Sequence, residues 1–215
     1  MQNFNQPFFA TSMAVFWRRW HISLIKWLTD YVYTPLAFSF RTYGIWGIVL
    51  ALMVTFILSG IWHGATLGFL VWGILQGVFL SVEALVNKRR SKLVKRFDLK
   101  NNFIYAIFSI GFTFVLFAIS EVFIRAVTID DSFLVFKKIL FERGPLFLDK
   151  TTWAYSFVGI TILLLSDFRE EYFPGKMRFF SSGNIIVRFG SYLCIALMIL
   201  WIGVLNGGQF IYFQF

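Results

Sequence analysis

The stretch Ser59-Gly60-Ile61-Trp62-His63-Gly64-Ala65 lies inside an almost uninterrupted apolar run from Ile45 to Val86. An ionisable side chain is costly in lipid, so His63 predicts a functional site with a protected environment. Glycine recurs every fourth residue from Gly60 to Gly68, a spacing of small residues typical of helix faces that pack closely on a neighbour. We therefore expect His63 to be shielded from lipid beside a close helix contact.

The composition places the chain among membrane proteins. Of its 215 residues, 58% are hydrophobic and 14% are charged, whereas soluble domains are nearer half apolar and a quarter charged. The formal net charge is +9, but the basic residues fall mostly in predicted loops, where membrane topology and anionic lipid explain them and nucleic acid is not expected. The first fifteen residues lack the basic and apolar regions of a cleavable signal peptide.

The apolar segments predict an all-α integral membrane protein, a polytopic helical bundle with about five membrane segments and one domain over residues 1–215. The predicted segments are Ile45–Trp62, Ala65–Val86, Phe103–Ile124, the short Trp153–Leu165, and about Ile185–Leu205. We divide the domain into an interfacial or cavity-lining segment (1–43), the histidine-bearing helices (45–86) and the remaining helices (101–215). Asn87–Lys100 is strongly basic and predicts a cytoplasmic loop. Glu121 and Arg125 are spaced for a helical ion pair.

Before these segments, Ala14–Tyr33 has the pattern of an amphipathic helix that lies at the membrane boundary or lines a polar cavity. One arc carries Trp17, Trp20, Leu24, Trp27, Leu28 and Tyr31, and the opposite arc carries Arg19, Ser23, Lys26 and Asp30. His21, the other of the two histidines, lies at the edge of the aromatic arc. Pro35 is expected to end this helix.

Two histidine motifs resemble those of the membrane-bound O-acyltransferase (MBOAT) family. Phe16-Trp17-Arg18-Arg19-Trp20-His21-Ile22-Ser23-Leu24, continued by Trp27–Leu36, is similar to the first block, and Ser59–Ala65 to the second. The terminal Gly208–Phe215 is similar to the ending of the family's alginate-acetylating branch. Family members are considerably longer, so the chain resembles their C-terminal half, and we expect either a fragment or a misassigned start.

Two residues depart from that branch. Ile25 and Thr29 stand where it more often has Ser and Arg, which affects the fine specificity that the likeness implies. The resemblance implies a partial MBOAT fold and a multi-pass location in the bacterial inner membrane.

The resemblance implies that an acyl group, expected to be acetyl, passes from a cytoplasmic thioester donor to hydroxyls of an exported polysaccharide such as alginate. The donor would be a co-substrate such as acetyl-CoA, with no bound cofactor and no metal. A periplasmic acetyltransferase would be the partner protein, beside membrane lipid. The family likeness gives His63 the central catalytic role and His21 the second. A general base typically contributes about 10²–10⁴-fold, and burial favours the neutral imidazole that such a base needs.

Four further residues are candidates for binding. The indole N–H of Trp20 or Trp62 could donate to the developing oxyanion. Arg18 and Arg19 could hold a phosphate of a nucleotide-bearing donor, or act as interfacial anchors. Cys194 lies far along the chain with no histidine nearby in sequence, which favours direct transfer over a covalent acyl-enzyme.

Other functions stay open. Another branch of the family would transfer D-alanine to teichoic acid or acetylate a different glycan. A transporter that relays protons through histidines would have titratable residues in several spans and an internal repeat, whereas the histidines lie in adjacent blocks and no repeat is evident. A non-catalytic membrane scaffold or a fragment would use His63 only for a structural hydrogen bond.

Overall fold

The computed structural model describes residues 2–142, 144, 150–173, 180 and 182–202, with side chains to residue 200. The chain divides into two compact units, Met1–Pro145 and Leu146–Phe215. The terminal motif Gly208–Phe215 lies outside the described residues. The expectation of a single membrane domain stays a prediction.

The described residues are mostly helical and contain no strand. The first unit holds α1 (Met13–Arg19), α2 (Ile22–Leu28), α3 (Thr34–Ser39), α4 (Ile45–His63), α5 (Leu67–Arg96), α6 (Phe103–Arg125) and α7 (Ile129–Phe141), and the second holds α8 (Lys150–Tyr172) and α9 (Ile185–Ile202). Short 3-10 turns lie at Pro7–Phe9, Arg41–Tyr43 and Leu99–Asn101, and a π-helical turn at Thr29–Tyr33.

Four of these helices are long and apolar enough to cross a membrane. They are α4, α5, α6 and α8, and α9 is a shorter apolar helix. The predicted all-α membrane class is therefore confirmed. The length predicted for the segment Trp153–Leu165 was wrong, because α8 is 23 residues long. Arginine and glutamate are good helix formers, so Arg169, Glu170 and Glu171 continue the helix beyond its apolar part.

The basic loop predicted at Asn87–Lys100 was also wrong for most of its length. Helix α5 continues to Arg96 and is 30 residues long, or about 45 Å at 1.5 Å per residue. Lysine and arginine are good helix formers, so the charged residues extend the spanning helix beyond its apolar part. The basic residues of this extension are exposed except for Arg90, which is half-buried.

Helices α4 and α5 form a tight antiparallel pair joined by residues 64–66. A Cβ atom added at Gly60 would lie 2.5 Å from the Phe69 carbonyl oxygen, and one at Gly73 would lie 2.5 Å from the Phe56 oxygen. Both positions therefore admit only glycine without moving a helix. The close backbone approach predicted for these glycines is confirmed at Gly60, and an added Cβ at Gly68 would meet the Phe123 carbonyl oxygen of α6. The two glycines lie on different helices, because the chain turns between α4 and α5 at residues 64–66.

The amphipathic helix predicted from Ala14 to Tyr33 was wrong as a continuous element, since it breaks at His21. The aromatic arc is split accordingly: Trp17 is buried, whereas Trp27 is 54% exposed and Tyr31 is 69% exposed. The left-handed backbone of His21 turns α2 away from the direction of α1, so the two halves of the arc cannot share one face.

Pro35 does not end the helical segment. It lies in the first turn of α3, directly after the π-helical turn in which the Thr34 N–H donates to the Thr29 carbonyl. The residues before Pro35 are already helical, so the proline removes one hydrogen bond from a continuous helical segment, and the π-helical turn is the irregularity that accompanies it.

Aromatic packing and buried hydrogen bonds join α1 to the spanning helices. The buried core contains Ala10, Met13, Phe16, Trp17, Phe56, Trp72 and Leu80. The fully buried Gln76 accepts from Trp17 Nε1 at 3.1 Å and donates to Ser120 Oγ at 2.7 Å. Buried polar groups are costly unless paired, so this chain of bonds fixes α1 against α5 and α6.

Candidate functional site

His21 is positioned by its backbone. It has φ 48° and ψ 50° and precedes the first residue of α2. Asn3 supplies acceptors for the first two amides of that helix: its carbonyl accepts from Ile22 N and its Oδ1 accepts from Ser23 N, both at 2.9 Å. Asn5 N also donates to the Arg19 carbonyl at 2.9 Å. Early helix amides lack intrahelical partners, so the N-terminal segment stabilises the break that presents His21.

His63 is positioned by aromatic rings at the end of α4. Its imidazole lies edge-on to Trp72 with ring centroids 5.3 Å apart, and edge-on to Trp62 at 4.9 Å. The Phe69 ring is stacked with it at 6.1 Å and an interplanar angle of 16°. Three rings from α4 and α5 therefore restrict the orientation of one imidazole.

Both histidines line one cavity of about 140 Å³. Its other lining residues are Trp17, Trp20, Leu24, Phe69, Trp72, Phe117, Glu121 and Ile124. The wall is mostly aromatic and aliphatic, and its titratable groups are the two imidazoles and the Glu121 carboxylate. The predicted shielding of His63 is consistent with this arrangement, since its side chain is half-buried in the wall of a cavity.

One nitrogen of the His21 ring has no hydrogen-bond partner among the described residues. This atom, Nδ1, is buried. Buried polar atoms are nearly always paired, so this nitrogen is an exception that the described residues do not satisfy.

Glu121 is a site residue that the sequence analysis did not assign. Its carboxylate lines the cavity from α6 and accepts from the Trp72 indole Nε1 at 3.1 Å. The ion pair predicted with Arg125 is not among the ion pairs of the described residues. A carboxylate inside a 23-residue apolar helix was the available signal, because such a group is costly unless it has a role or a partner.

The four predicted binding residues lie in different places. Trp20 is in the cavity wall and stacks on Phe16 at 5.7 Å. Trp62 contacts the His63 ring but is 65% exposed. Neither arginine is among the residues that line the histidine cavity: Arg18 is exposed, and Arg19 donates to the Gln6 carbonyl at 3.2 Å.

Arg18 instead lines a larger cleft of about 700 Å³ beside the basic end of α5. Arg90, Lys95 and Lys100 line the same cleft, with Glu83 as one of its two acidic groups. We call this the basic cleft, to distinguish it from the mostly aromatic histidine cavity.

No metal centre is assembled in the part of the chain that the structure describes, where no three or more His, Cys, Asp or Glu side chains cluster. The expectation of a metal-free site stays a prediction.

Comparison with known proteins relates the chain to one family. The model described as "MBOAT, membrane-bound O-acyltransferase family" matches residues 2–126. A probable alginate O-acetylase of Azotobacter vinelandii is 45% identical over 87 residues, which cover 39% of this chain and 16% of that protein. A peptidoglycan O-acetyltransferase of Helicobacter pylori is 36% identical over 142 residues, 66% of this chain and 25% of that protein.

A teichoic acid D-alanyltransferase of Bacillus subtilis is 30% identical over 97 residues, which cover 42% of this chain and 24% of that protein. The matched part therefore spans about a quarter or less of the length of each of these curated relatives.

Proposed function

The chain belongs to the membrane-bound O-acyltransferase family, and from that premise we propose that it transfers an acyl group, acetyl in the first instance, from a thioester to a hydroxyl. His63 is the general base of this reaction and His21 is the second site histidine. It acts as a multi-pass membrane protein, and we place it in the bacterial inner membrane.

The observation that carries the proposal is that His21 and His63, 42 positions apart in the sequence, line the same cavity. If the two histidines were only structural, each would need a hydrogen-bond partner, and nothing would require them to line the same cavity. The imidazole of His63, whose orientation the Trp72 ring restricts, lies in the wall of this cavity together with that of His21.

The transfer needs one proton acceptor and one bond exchange. The acceptor hydroxyl oxygen attacks the thioester carbonyl carbon as His63 takes the hydroxyl proton. The carbon–sulfur bond then breaks, and the thiolate leaves and receives that proton. An indole N–H is a suitable donor to the oxyanion of the intermediate, and Trp20 is the indole that we assign to this role.

The position of the cavity favours an acceptor from outside the cell. By the positive-inside rule, the basic end of α5 faces the cytoplasm. Trp72, in the cavity wall, and Arg90 are 18 residues apart on that helix, or about 27 Å at 1.5 Å per residue. The histidine cavity then lies nearer the outer face than Arg90 does, and Arg18, three residues before His21, lines the basic cleft.

The basic cleft is a suitable place for the donor. Arg18, Arg90, Lys95 and Lys100 line it, and such groups bind phosphate. A donor with a nucleotide and a long thioester arm, such as acetyl-CoA, could hold its phosphates there. Arg19 remains a candidate anchor beside this cleft, and Trp62 a candidate contact for the acceptor.

An exported polysaccharide such as alginate is our leading acceptor, reached directly or through a periplasmic acetyltransferase. It is supported by the 45% identity to the Azotobacter vinelandii relative. A second acceptor is peptidoglycan. It is favoured by the Helicobacter pylori relative, whose match covers 66% of this chain, against 39% for the Azotobacter vinelandii relative. D-alanyl transfer to teichoic acid is the third.

The test is His63→Ala introduced into the chromosomal gene. The matched control is Leu58→Ala, on an exposed face of the same helix. Leu58 is 46% exposed and is not in the cavity wall. We expect ester-linked acetate on the exported polysaccharide to fall about 10²–10⁴-fold in His63→Ala and to stay normal in Leu58→Ala. Acetate and D-alanine are also measured on the cell wall, which distinguishes the three acceptors. Unchanged ester levels on every glycan, with normal amounts of the His63→Ala protein, would contradict the proposal.

A further inference from the structure

We propose that Glu121 is a positioning residue for His63, acting through Trp72. Its carboxylate fixes the orientation of the Trp72 indole, and that ring fixes the imidazole. The effect on catalysis rests on the proposed function, whereas the effect on the position of the His63 ring does not.

The first step is the bond from Trp72 to Glu121. The indole Nε1 lies 3.1 Å from Glu121 Oε1, and Trp72 is 5% exposed. A buried indole N–H is normally paired, and a hydrogen bond to a carboxylate is stronger than one between neutral groups. This bond therefore selects one orientation of a large ring in the middle of the cavity wall.

The second step is the contact between the Trp72 and His63 rings. The two centroids are 5.3 Å apart and the planes are inclined at 82°. Trp72 also contacts Trp17 edge-to-face, at 5.8 Å and 80°. Because the torsion that turns an indole about its Cβ–Cγ bond has broad wells, the carboxylate is what distinguishes this ring orientation from its neighbours.

The third step is that a carboxylate is an unfavourable choice for packing alone. Glu121 lies in a helix that is long and apolar enough to span a membrane, where a charged group is costly. An aliphatic residue would fill the same wall at less cost. Arg125, one turn away, acts electrostatically on Glu121 but forms no close ion pair with it, so the hydrogen bond from Trp72 is the direct contact that holds the carboxylate in the cavity.

The decisive variants separate accepting a hydrogen bond from carrying a charge. Glu121→Gln retains an oxygen that can accept from the indole, whereas Glu121→Ala removes it. Trp72→Phe keeps a ring but removes the N–H donor. If position is what Glu121 provides, Glu121→Gln retains function, and Glu121→Ala and Trp72→Phe fail in the same way.

A direct readout is available because the chain has only two histidines. The protein is labelled with ¹³C at the histidine rings, placed in lipid nanodiscs, and its two ring signals are assigned with His63→Ala. We expect Glu121→Ala and Trp72→Phe to shift the His63 signal, and Glu121→Gln to leave it in place. Glu142→Ala, which removes an exposed carboxylate outside the cavity, is the control and leaves the signal unchanged.

The kinetic readout is acyl transfer by the same variants. We expect Glu121→Ala to lower kcat about 10- to 100-fold, as a small misplacement of a catalytic group does, with little change in the KM of the acceptor. Glu121→Ala and Trp72→Phe combined should be no worse than either alone, because they remove one shared interaction.

Three outcomes would overturn the proposal. Glu121→Gln as impaired as Glu121→Ala would mean that charge matters rather than position. An unshifted His63 ring signal in both Glu121→Ala and Trp72→Phe would mean that the indole does not determine the position of the imidazole. If Glu121→Ala were fully active while His63→Ala is inactive, Glu121 would have no positioning role and the proposed function would still stand. If Glu121→Ala does not fold, the Trp72→Phe signal decides alone.

Discussion

The two histidines reach the same cavity by opposite means. His21 is presented by a left-handed backbone at a helix break, stabilised by hydrogen bonds from the segment around Asn3. His63 ends a regular spanning helix, and its ring is fixed by side chains, chief among them Trp72. The two imidazoles should therefore be displaced by different kinds of substitution. His21 should be displaced by changes in main-chain conformation, and His63 by substitutions of the distant residues that pack against its ring.

The largest expected effect tests whether the two imidazoles act as one unit. We expect His63→Ala to reduce acyl transfer about 10²–10⁴-fold, and His21→Gly, which suits the left-handed backbone, to reduce it by less. The double variant should be no slower than His63→Ala, because groups that act as a unit are not additive. Initial rates of ester formation in membranes measure this, and losses that multiply would mean that the histidines work independently.

The packing side of the comparison is tested by Gly73→Leu. A Cβ atom at Gly73 would lie 2.5 Å from the Phe56 oxygen, so α4 and α5 must separate. We expect a loss of about 1–3 kcal/mol in the free energy of unfolding, or more, measured by thermal unfolding in detergent micelles. Gly111→Leu on α6 is the control, since a Cβ there meets nothing within 4 Å. Equal losses in both would mean that the close helix contact does not matter.

The backbone side of the comparison is tested at His21. A β-branched residue is poorly suited to the left-handed region, which costs an ordinary residue about 1–2 kcal/mol. We therefore expect His21→Val to be less stable than His21→Gly by about that amount, although both lose the imidazole. Chemical denaturation of the two variants measures the difference, and equal stability would mean that the break does not persist in solution.

The smallest expected effect concerns the segment that stabilises the break. Asn3→Ala removes the Oδ1 that accepts from Ser23 N, and losing a side-chain cap costs about 1 kcal/mol. Unfolding in detergent should report a loss of that size, together with a shift of the His21 ring signal and none at His63. Asn87→Ala, an exposed amide on α5, is the control. A shift of both histidine signals would erase the distinction between the two regions.

Much of the fold could be predicted because the membrane imposes strong rules on a sequence. Backbone groups in lipid must bond internally, so an apolar run of spanning length forms a helix. On this basis the segments at α4, α5 and α6 were predicted to within a few residues, apart from the charged extension of α5. The helix α7 was missed although its capping box, in which Thr128 and Asp131 exchange hydrogen bonds, is visible in the sequence.

The site could be predicted only in part. An imidazole in an apolar run is conspicuous, so both histidines were found, and the family resemblance assigned their roles. The break at His21 was missed, because its cause is a set of hydrogen bonds from Asn3 and Asn5 that periodicity does not report. Glu121 was assigned to Arg125 because that residue is one turn away, whereas its partner Trp72 lies on another helix.

By itself, the sequence determined that this chain is a helical membrane protein with two ionisable imidazoles, since hydropathy and ionisation are properties of single residues and short runs. Only the tertiary structure decided that the two imidazoles share one cavity, that a carboxylate from a third helix enters it, and that glycines on two helices bring the walls together. Those outcomes depend on contacts between residues many turns apart, which helix packing fixes and local sequence does not.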